Sequence, residues 1–335
     1  MANKVAVVIL NYNGRNYLEQ FLPNVLENSS PYQVIVADNA STDDSVHFLE
    51  SQFPEIQLIK IPENLGYAGG YNYAFKYVEA EYYVLLNSDV ETTKSWIEPV
   101  VELMDENTEI AACQPKIRSF HNKKYFEYAG AAGGYIDFLG YPFCRGRIFS
   151  TLEKDQGQYD DNRSVFWATG ACLFVRAKDF HELGELDAEF FAHMEEIDFC
   201  WRAKNRGKQI YYCGKSTVYH VGGGTLNTES PFKTYLNFRN NWLLLYKNLS
   251  QKEFVKIKFK RTILDYIAFI QLTVVGKYSN AKSISKAHRD FRKMSKKYSQ
   301  NEKEGFTHPE VFSRSIIIAY FLKGFKSFTK LKFTL

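Results

Sequence analysis

The sequence predicts an α/β fold, with a largely parallel sheet flanked by helices and a helical, basic tail. Three observations carry this reading. Short strand-like runs at 5–10, 34–37, 58–61 and 82–86 alternate with helical patterns, as strands buried on both faces of a parallel sheet do. Polar residues follow three of these runs directly, namely Asn11, Asp38 and Asn87. Ligands bind beyond the carboxyl ends of such strands. The charge also divides, with 19 Lys or Arg against 6 Asp or Glu in residues 251–335, and 23 against 32 before them.

Each element has a local reason. Val5–Leu10 is an apolar run ended by the turn Asn11-Tyr12-Asn13-Gly14. Leu18, Phe21, Leu22, Val25 and Leu26 then share one helical face, and Pro23 is expected to bend that helix. Val34-Ile35-Val36-Ala37 is a second strand, and Ser41–Asp44 supplies N-cap chemistry for a helix through Glu50. Leu58–Ile61 is a third strand, Gly69–Val78 a third helix and Tyr82–Leu86 a fourth strand. Right-handed crossovers would join these strands. Beyond residue 110 the pattern loosens into shorter strands and Gly-rich loops such as Gly130–Gly134. A helix over Glu195–Asn205 follows, and residues from about 233 onward read as helices.

Composition narrows the class. A chain of 335 residues, 45% hydrophobic, can build one large α/β domain with an appendage. The longest apolar candidate, Ile263–Val275, is broken by Asp265 and Gln271 and is too short to span a bilayer. The chain opens on a strand without a basic-then-apolar leader, which predicts a cytoplasmic protein. Its five cysteines are odd in number and lack metal-type spacing, as expected of reduced thiols.

Several clusters suggest chemistry, each beside a plainer use. Asp38 could accept a pyrimidine imide or hold a ribose hydroxyl; it could equally close an Asx-turn. Tyr12 could stack on a base or pack in its turn. The stretch Glu63-Asn64-Leu65-Gly66-Tyr67-Ala68-Gly69-Gly70 precedes a helix, where backbone N–H groups suit phosphate or ribose oxygens, although its glycines also serve tight turns. In Asn87-Ser88-Asp89, Asp89 is a candidate ligand for Mg²⁺ or Mn²⁺, which bind one or two carboxylates plus phosphates. Glu195, Glu196 and Asp198 crowd three carboxylates into four residues, raising one another's pKa as a general base requires. Acidity at a helix N-terminus is the simpler explanation. His220, before Gly222-Gly223-Gly224-Thr225, could ligate a metal or meet a diphosphate, or simply pack.

Seven segments in order resemble the inverting nucleotide-sugar glycosyltransferases of family 2, especially rhamnosyltransferase-like members. They are Val7–Gly14, Val36–Asp43, Glu63–Gly66, Leu85–Asp89, Thr169–Ala171, Glu195–Asp198 and Arg239-Asn240. The resemblance covers roughly residues 4–245 and implies the GT-A fold, a mixed sheet flanked by helices. It implies a catalytic domain over 1–250, with a nucleotide-sugar half to about 110 and an acceptor half beyond. Asn11, Tyr12, Asp38, Asn64, Gly66, Asn87 and Ser88 would meet the donor, and Asp89 would be the metal ligand of the DxD motif, with His220 assisting. The family's Glu-Asp pair aligns with Glu195-Glu196, so Glu196 would be the general base; Glu replaces Asp here, and Glu195 or Asp198 remains an alternative. Asn87 also departs from the strict acidic pair. Trp167, Gly170 and Phe191 are candidate acceptor contacts, although core packing explains Trp167, Phe190 and Phe191 as well.

The implied reaction moves a sugar from a dTDP-rhamnose or UDP-hexose type donor to a saccharide or lipid-linked saccharide in cell-surface polysaccharide synthesis. A non-catalytic sugar-nucleotide-binding subunit of an envelope assembly is the alternative. The tail alternates cations with apolar segments at 263–275 and 316–328. That pattern suits peripheral attachment to an anionic membrane, or else packing on the domain or a homodimer interface. No nucleic-acid partner is expected, since no recognised module accompanies the charge.

Overall fold

The computed structural model describes residues 3–222, 230–299, 302, 306 and 308–333. Its first half builds β1 (Asn3–Asn11), α1 (Arg15–Ser29), β2 (Gln33–Asp38), α2 (Ser45–Gln52), β3 (Gln57–Lys60), α3 (Gly66–Ala74), β4 (Ala80–Asn87), β5 (Val90–Thr92), α4 (Glu98–Glu106) and β6 (Ile110–Ser119). A second series of short strands follows: β7 (Gly134–Asp137), β8 (Pro142–Cys144), β9 (Arg147–Ile148), β10 (Thr151–Leu152) and β11 (Arg163–Ser164). Then come β12 (Cys172–Arg176), α5 (Ala177–Glu182), α6 (Glu195–Asn205) and β13 (Gln209–His220). The chain continues through α7 (Pro231–Asn248), α8 (Gln251–Val274), α9 (Tyr278–Met294) and β14 (Val311–Phe312).

The larger sheet runs β11-β13-β6-β12-β4-β1-β2-β3, with β5 paired to β13. β3, β2, β1 and β4 are parallel, whereas β12 is antiparallel to both β4 and β6. The sheet is therefore mixed, because the return strand β12 enters between β4 and β6. Strand order reverses at β1, with β2 on one side and β4 on the other. That switch point opens a crevice at the strand ends, and Asn11 lies opposite Asp38 while Leu10 lies opposite Asn87. A smaller sheet, β10-β9-β8-β7-β14, sits beside it.

The apolar run of β1 explains the layering. Val5, Val7 and Ile9 enter one core with Leu18, Leu22 and Val25 of α1, whereas Ala6 and Val8 enter another with Tyr71 and Ala74 of α3. The period-2 alternation thus feeds apolar side chains to both faces. Full burial of each Val or Ile contributes about 1.5–3 kcal/mol. α1 continues through Pro23, and the third helix starts at Gly66 rather than Gly69. The expectation of short strands beyond 110 is corrected by β6 and β13, of 10 and 12 residues. β13 was hidden because Gly214-Lys215-Ser216 interrupts its apolar pattern, where its register against β6 shifts between Cys213 and Thr217.

The shift in charge at residue 250 coincides with a helix boundary, since Ser250 caps α8 in a reciprocal capping box with Glu253. The residues beyond it nevertheless join the main core. Phe254, Ile257, Phe291, Phe312 and Phe328 share one apolar cluster with Ile35, Leu85 and Trp201, and β14 extends the smaller sheet through β7. Buried Arg261 donates to Leu139 O at 3.0 Å and to Asn241 Oδ1 at 2.6 Å, and lies 3.9 Å from Asp265. Asp265 in turn accepts from Trp242 Nε1 at 2.7 Å. Replacing Arg261 by Leu removes the donor to Leu139 O and Asn241 Oδ1. It also takes the guanidinium from Asp265, which keeps Trp242 Nε1 and His288 Nε2, the latter at 2.8 Å, as partners. A loss of about 3–5 kcal/mol is expected, read as a lowered midpoint of the transition that unfolds the sheet, rather than of a separate tail transition.

Candidate active site

One side of the candidate site is assembled by three strand ends. Asn11 at the end of β1 is fully buried, and its Nδ2 donates to Asp38 Oδ1 at 3.0 Å and Ser41 Oγ at 3.1 Å. Asp38 Oδ2 accepts the Ser41 N–H at 2.9 Å. Asp38 therefore closes the turn after β2 while lying at the crevice floor. Tyr12, one residue beyond β1, is 37% exposed. Gly14 follows because a Cβ there would collide with Asn11 Oδ1 and come within 3.3 Å of Ser88 Oγ.

Asn64 and Gly66, expected at the donor, serve the scaffold instead. Asn64 Oδ1 accepts from Gly66 N at 2.9 Å and from Asn39 Nδ2 at 3.1 Å. Gly66 has φ +71°, and a Cβ there would strike Phe191. The next amides of α3, Tyr67 N and Ala68 N, point at Phe191 O at 2.7 and 3.4 Å. Helix N-terminal donors need an acceptor, and here a protein carbonyl supplies it. The expectation that these N–H groups await a phosphate is thereby corrected.

Asp89 is buried just beyond β4. Its Oδ1 lies 3.1 Å from His220 Nε2, and its Oδ2 accepts Gly222 N–H at 3.3 Å. β5 brings them together, because Val90 pairs with His220 at the end of β13. Asn87 Nδ2 approaches the same His220 nitrogen at 3.3 Å. On the other side of the ring, Glu127 Oε2 lies 3.2 Å from Nδ1. Burial opposes the imidazolium, but Asp89 and Glu127 outweigh it and push the His220 pKa up to about 10. Burial likewise opposes the Asp89 carboxylate, and His220 overrides it, holding that carboxyl below its ordinary range. Gly223, Gly224 and Thr225 lie outside the described residues.

This donor set fits a hard divalent ion. Asp89 supplies oxygen, His220 supplies nitrogen once deprotonated, and Glu127 can fix the His220 tautomer from behind. Among the described residues no group of three His, Cys, Asp or Glu side chains forms a metal cage. Two protein ligands leave positions for diphosphate oxygens, the usual arrangement for Mg²⁺ or Mn²⁺. Glu127 has no sequence signal of its own, being an isolated acid in an aromatic stretch.

Across the crevice, α6 begins with Glu195 and Glu196. Glu195 is buried and Glu196 half-buried. Burial pushes the Glu196 carboxyl up to about 7 despite neighbouring backbone N–H groups, Gly170 N–H among them. Glu195 is raised by burial and then by the Glu196 charge. Each keeps one buried oxygen, Oε2, without a hydrogen-bond partner among the described residues. Asp198, expected as an alternative base, is different. It is wholly buried and accepts from Arg202 Nε at 2.8 Å, Lys247 Nζ at 2.8 Å and Asn248 Nδ2 at 2.9 Å. Burial resists its charge, yet Lys247 and Arg202 hold it below the usual range. A carboxylate so occupied makes a poor proton acceptor, and Asp198 instead ties α6 to α7.

Thr169-Gly170-Ala171 joins the two sides. Ala171 O accepts Asn87 N–H at 3.0 Å, and Thr169 N donates to Gln114 Oε1 at 2.9 Å. Gly170 O accepts from Tyr67 Oη at 2.6 Å, and a Cβ on Gly170 would lie 2.7 Å from that oxygen. Trp167, expected at an acceptor, is core, since its Nε1 donates to Tyr135 O at 3.0 Å and its ring covers Gly134. Phe190 is fully buried as well. Phe191 is half-buried, with exposed Phe232 6.1 Å from its ring, and stays a candidate acceptor wall.

The loop before α6 is strained. Phe191, His193 and Met194 have φ of +65°, +70° and +77°, costly for non-glycine residues. The Arg239-Asn240 pair on α7 holds it. Asn240 Nδ2 lies 2.9, 2.8 and 2.7 Å from the carbonyls of Phe190, Ala192 and His193, and Arg239 Nη2 donates to Glu189 O and Phe190 O. His193 Nε2 is buried without a partner among the described residues, and burial, with Lys233 nearby, pushes its pKa down to about 4.

The glycosyl transferase family 2 model matches residues 6–184. N-acetylglucosaminyl-diphospho-decaprenol L-rhamnosyltransferase of Mycobacterium tuberculosis is 25% identical over 236 residues, covering 66% of this chain and 76% of its own. The low-salt glycan biosynthesis hexosyltransferase Agl10 of Haloferax volcanii is 24% identical over 248 residues, 72% of this chain and 76% of its own. Among solved structures, GalNAc-T7 with UDP, GalNAc and Mn²⁺ superposes with TM-score 0.55 at 13% identity, over 73% of this chain and 48% of that one. S. aureus TarS 1–349 in complex with UDP-GlcNAc gives TM-score 0.51 at 15% identity, over 87% and 92%. The mixed sheet with its flanking helices is thus the GT-A fold.

The raised carboxyls carry a stability cost whose sign is set by their direction. Both folded pKa values exceed the unfolded ones, that of Glu196 lying at about 7, so stability falls as pH rises above the ordinary carboxylate range. Glu195→Gln or Glu196→Gln should therefore raise stability at pH 8 by on the order of 1–3 kcal/mol and change it little at pH 4, measured by thermal melts across pH.

Proposed function

The chain belongs to glycosyl transferase family 2, and we propose that it transfers a sugar, with inversion, from a nucleoside-diphosphate donor to a saccharide acceptor carried on a lipid. One observation carries the reading above all. A carboxylate pair kept proton-receptive by burial is joined, through the three residues at 169–171, to the Asn87-x-Asp89 end of β4. A purely binding subunit gains nothing from a destabilising pair of buried acids.

In the proposed step Glu196 takes the proton from the acceptor hydroxyl as its oxygen attacks the anomeric carbon. The new C–O bond forms opposite the breaking C–O(phosphate) bond, whose electron pair leaves with the nucleoside diphosphate. Burial raises the proton affinity of Glu196, and Gly170 N–H orients the accepting carboxylate. Asp89 and His220 would hold Mg²⁺ or Mn²⁺, which supplies Lewis-acid neutralisation of the departing diphosphate. Asn87 can donate to a ribose hydroxyl, and the exposed ring of Tyr12 can stack on the base. Asp38 lies where it could meet an imide edge, which thymine and uracil share, so donors of the dTDP-rhamnose or UDP-hexose type fit. The Mycobacterium tuberculosis and Haloferax volcanii relatives, by their names a diphospho-decaprenol rhamnosyltransferase and a glycan-biosynthesis hexosyltransferase, favour a lipid-linked acceptor in surface-glycan synthesis.

Glu196→Gln should lower kcat by about 10²–10⁴ while donor affinity holds, and the wild-type acid limb should lie well above the ordinary carboxylate range. Transfer assays over pH, with anomeric configuration read by NMR, test both base and inversion; undiminished turnover would remove Glu196 from the role. Asp89→Ala should abolish the Mn²⁺-dependent part of donor binding, read by calorimetry of dTDP- and UDP-sugars with and without Mn²⁺.

A further inference from the structure

α8 is apolar on two opposite sides. Phe254 and Ile257 turn into the core, beside buried Arg261 and Asp265. Val255, Phe259, Ile263, Ile267, Ile270 and Val274 are all exposed, Phe259 at 73% and Val274 at 80%. Their spacing of four, four, four, three and four residues makes one outward stripe about 28 Å long. An isolated exposed apolar residue is ordinary, whereas a continuous stripe marks an interaction surface. Lys252, Lys256, Lys258 and Lys260 are exposed on the same helix.

A cationic cavity of about 430 Å³ is formed within the C-terminal segment 312–332. Lys260 Nζ stands 5.6 Å from the Phe138 ring, and Phe138 N–H donates to the carbonyl of Phe312, which lines the cavity. Arg314, Lys323, Lys330 and Lys332 also line it over an apolar lining that includes Ile318 and Phe325, and no Asp or Glu joins them among the described residues. Beside it Phe321 and Leu322 are 61% and 80% exposed. Gathering four cations without a carboxylate is repulsive until an anion arrives.

We propose that the α8 stripe and this cavity form one docking surface for an anionic lipid bilayer, with the stripe in the acyl boundary and the cations on lipid phosphate. Charge complementarity selects that occupant over a second copy of the chain. Residues 251–335 carry 19 basic against 6 acidic residues, so two such faces would repel, while an anionic leaflet attracts each near-surface cation. The surface goes beyond the transfer reaction and does not depend on it.

Flotation of the full chain with vesicles of phosphatidylcholine, alone or mixed with phosphatidylglycerol, tests this without donor or acceptor. Binding to the mixed vesicles should be at least about tenfold tighter and should weaken with salt. The triple variant Phe259→Ser, Ile267→Ser, Ile270→Ser and the double variant Lys323→Glu, Lys330→Glu should each lose about tenfold. Donor-induced thermal shifts, which report folding and the active site, should persist in both. Equal binding to the two vesicle types, or none, overturns the proposal. So does a wild-type dimer, seen by sedimentation, that the triple variant dissolves while flotation survives. Calorimetric binding of inorganic phosphate, with flotation unaffected by the charge reversals, would make the cavity a small-anion site and overturn it too.

Discussion

The constraint on which the site depends is the path of three residues, Thr169-Gly170-Ala171, between two structures that sequence keeps far apart. Ala171 O grips the amide of Asn87, and Gly170 N–H faces the Glu196 carboxylate. The Asn87-x-Asp89 end of β4 and the Glu196 carboxyl are thus linked by a few backbone bonds. Gln114 and Tyr67 fix this segment from either side. β12 then carries it into the sheet, with Cys172 opposite Leu86. A glycine is needed at 170 because the Tyr67 hydroxyl occupies the space of a side chain. Positioning of this kind, by a short turn tied to neighbouring strands, is what an in-line displacement requires.

Four of the acids divide by environment rather than by type. Asp89 and Asp198 are buried beside cations and remain charged. Glu195 and Glu196 have no cation paired with them among the described residues and resist ionisation. The first environment suits groups that must stay anionic to hold a metal or a helix. The second suits a group that must accept a proton near neutrality and release it afterwards. His220 is the cation beside Asp89 in that first environment, with carboxylates near both ring nitrogens, and it would have to give up a proton to ligate a metal.

Much of this was legible in the sequence, and the part that was not has physical causes. Asn11, Asp38, Asn87 and Asp89 could be placed at or just beyond strand ends because the apolar runs buried on both faces end there. The acidic start of α6 was visible from spacing alone. What failed was discrimination between partners. A glycine-rich helix start looks the same whether a phosphate or Phe191 O meets its amides, so Asn64 and Gly66 were assigned to the donor. Asp198 was indistinguishable from its neighbours until Lys247 and Asn248 arrived from α7, about 50 residues on. Trp167 and Glu127 depend wholly on contacts far along the chain. The boundary near 250 was read from charge, which belongs to the surface, whereas core membership is decided by Phe254, Ile257, Phe312 and Phe328.

The strained loop at 191–194 shows how these distant contacts serve the chemistry. Left-handed backbone at three non-glycine residues persists only where the surroundings over-determine it. Asn240 and Arg239 do so by engaging the carbonyls of residues 189, 190, 192 and 193, and Phe191 O is held by the start of α3. Every carbonyl from 189 to 193 is thereby committed, so the loop cannot relax without breaking bonds to α7 or α3. Glu195 and Glu196 emerge from this fixed loop and inherit its direction. That inheritance explains how Arg239-Asn240, separated from them in sequence by α6 and β13, bears on the placement of the two carboxyls.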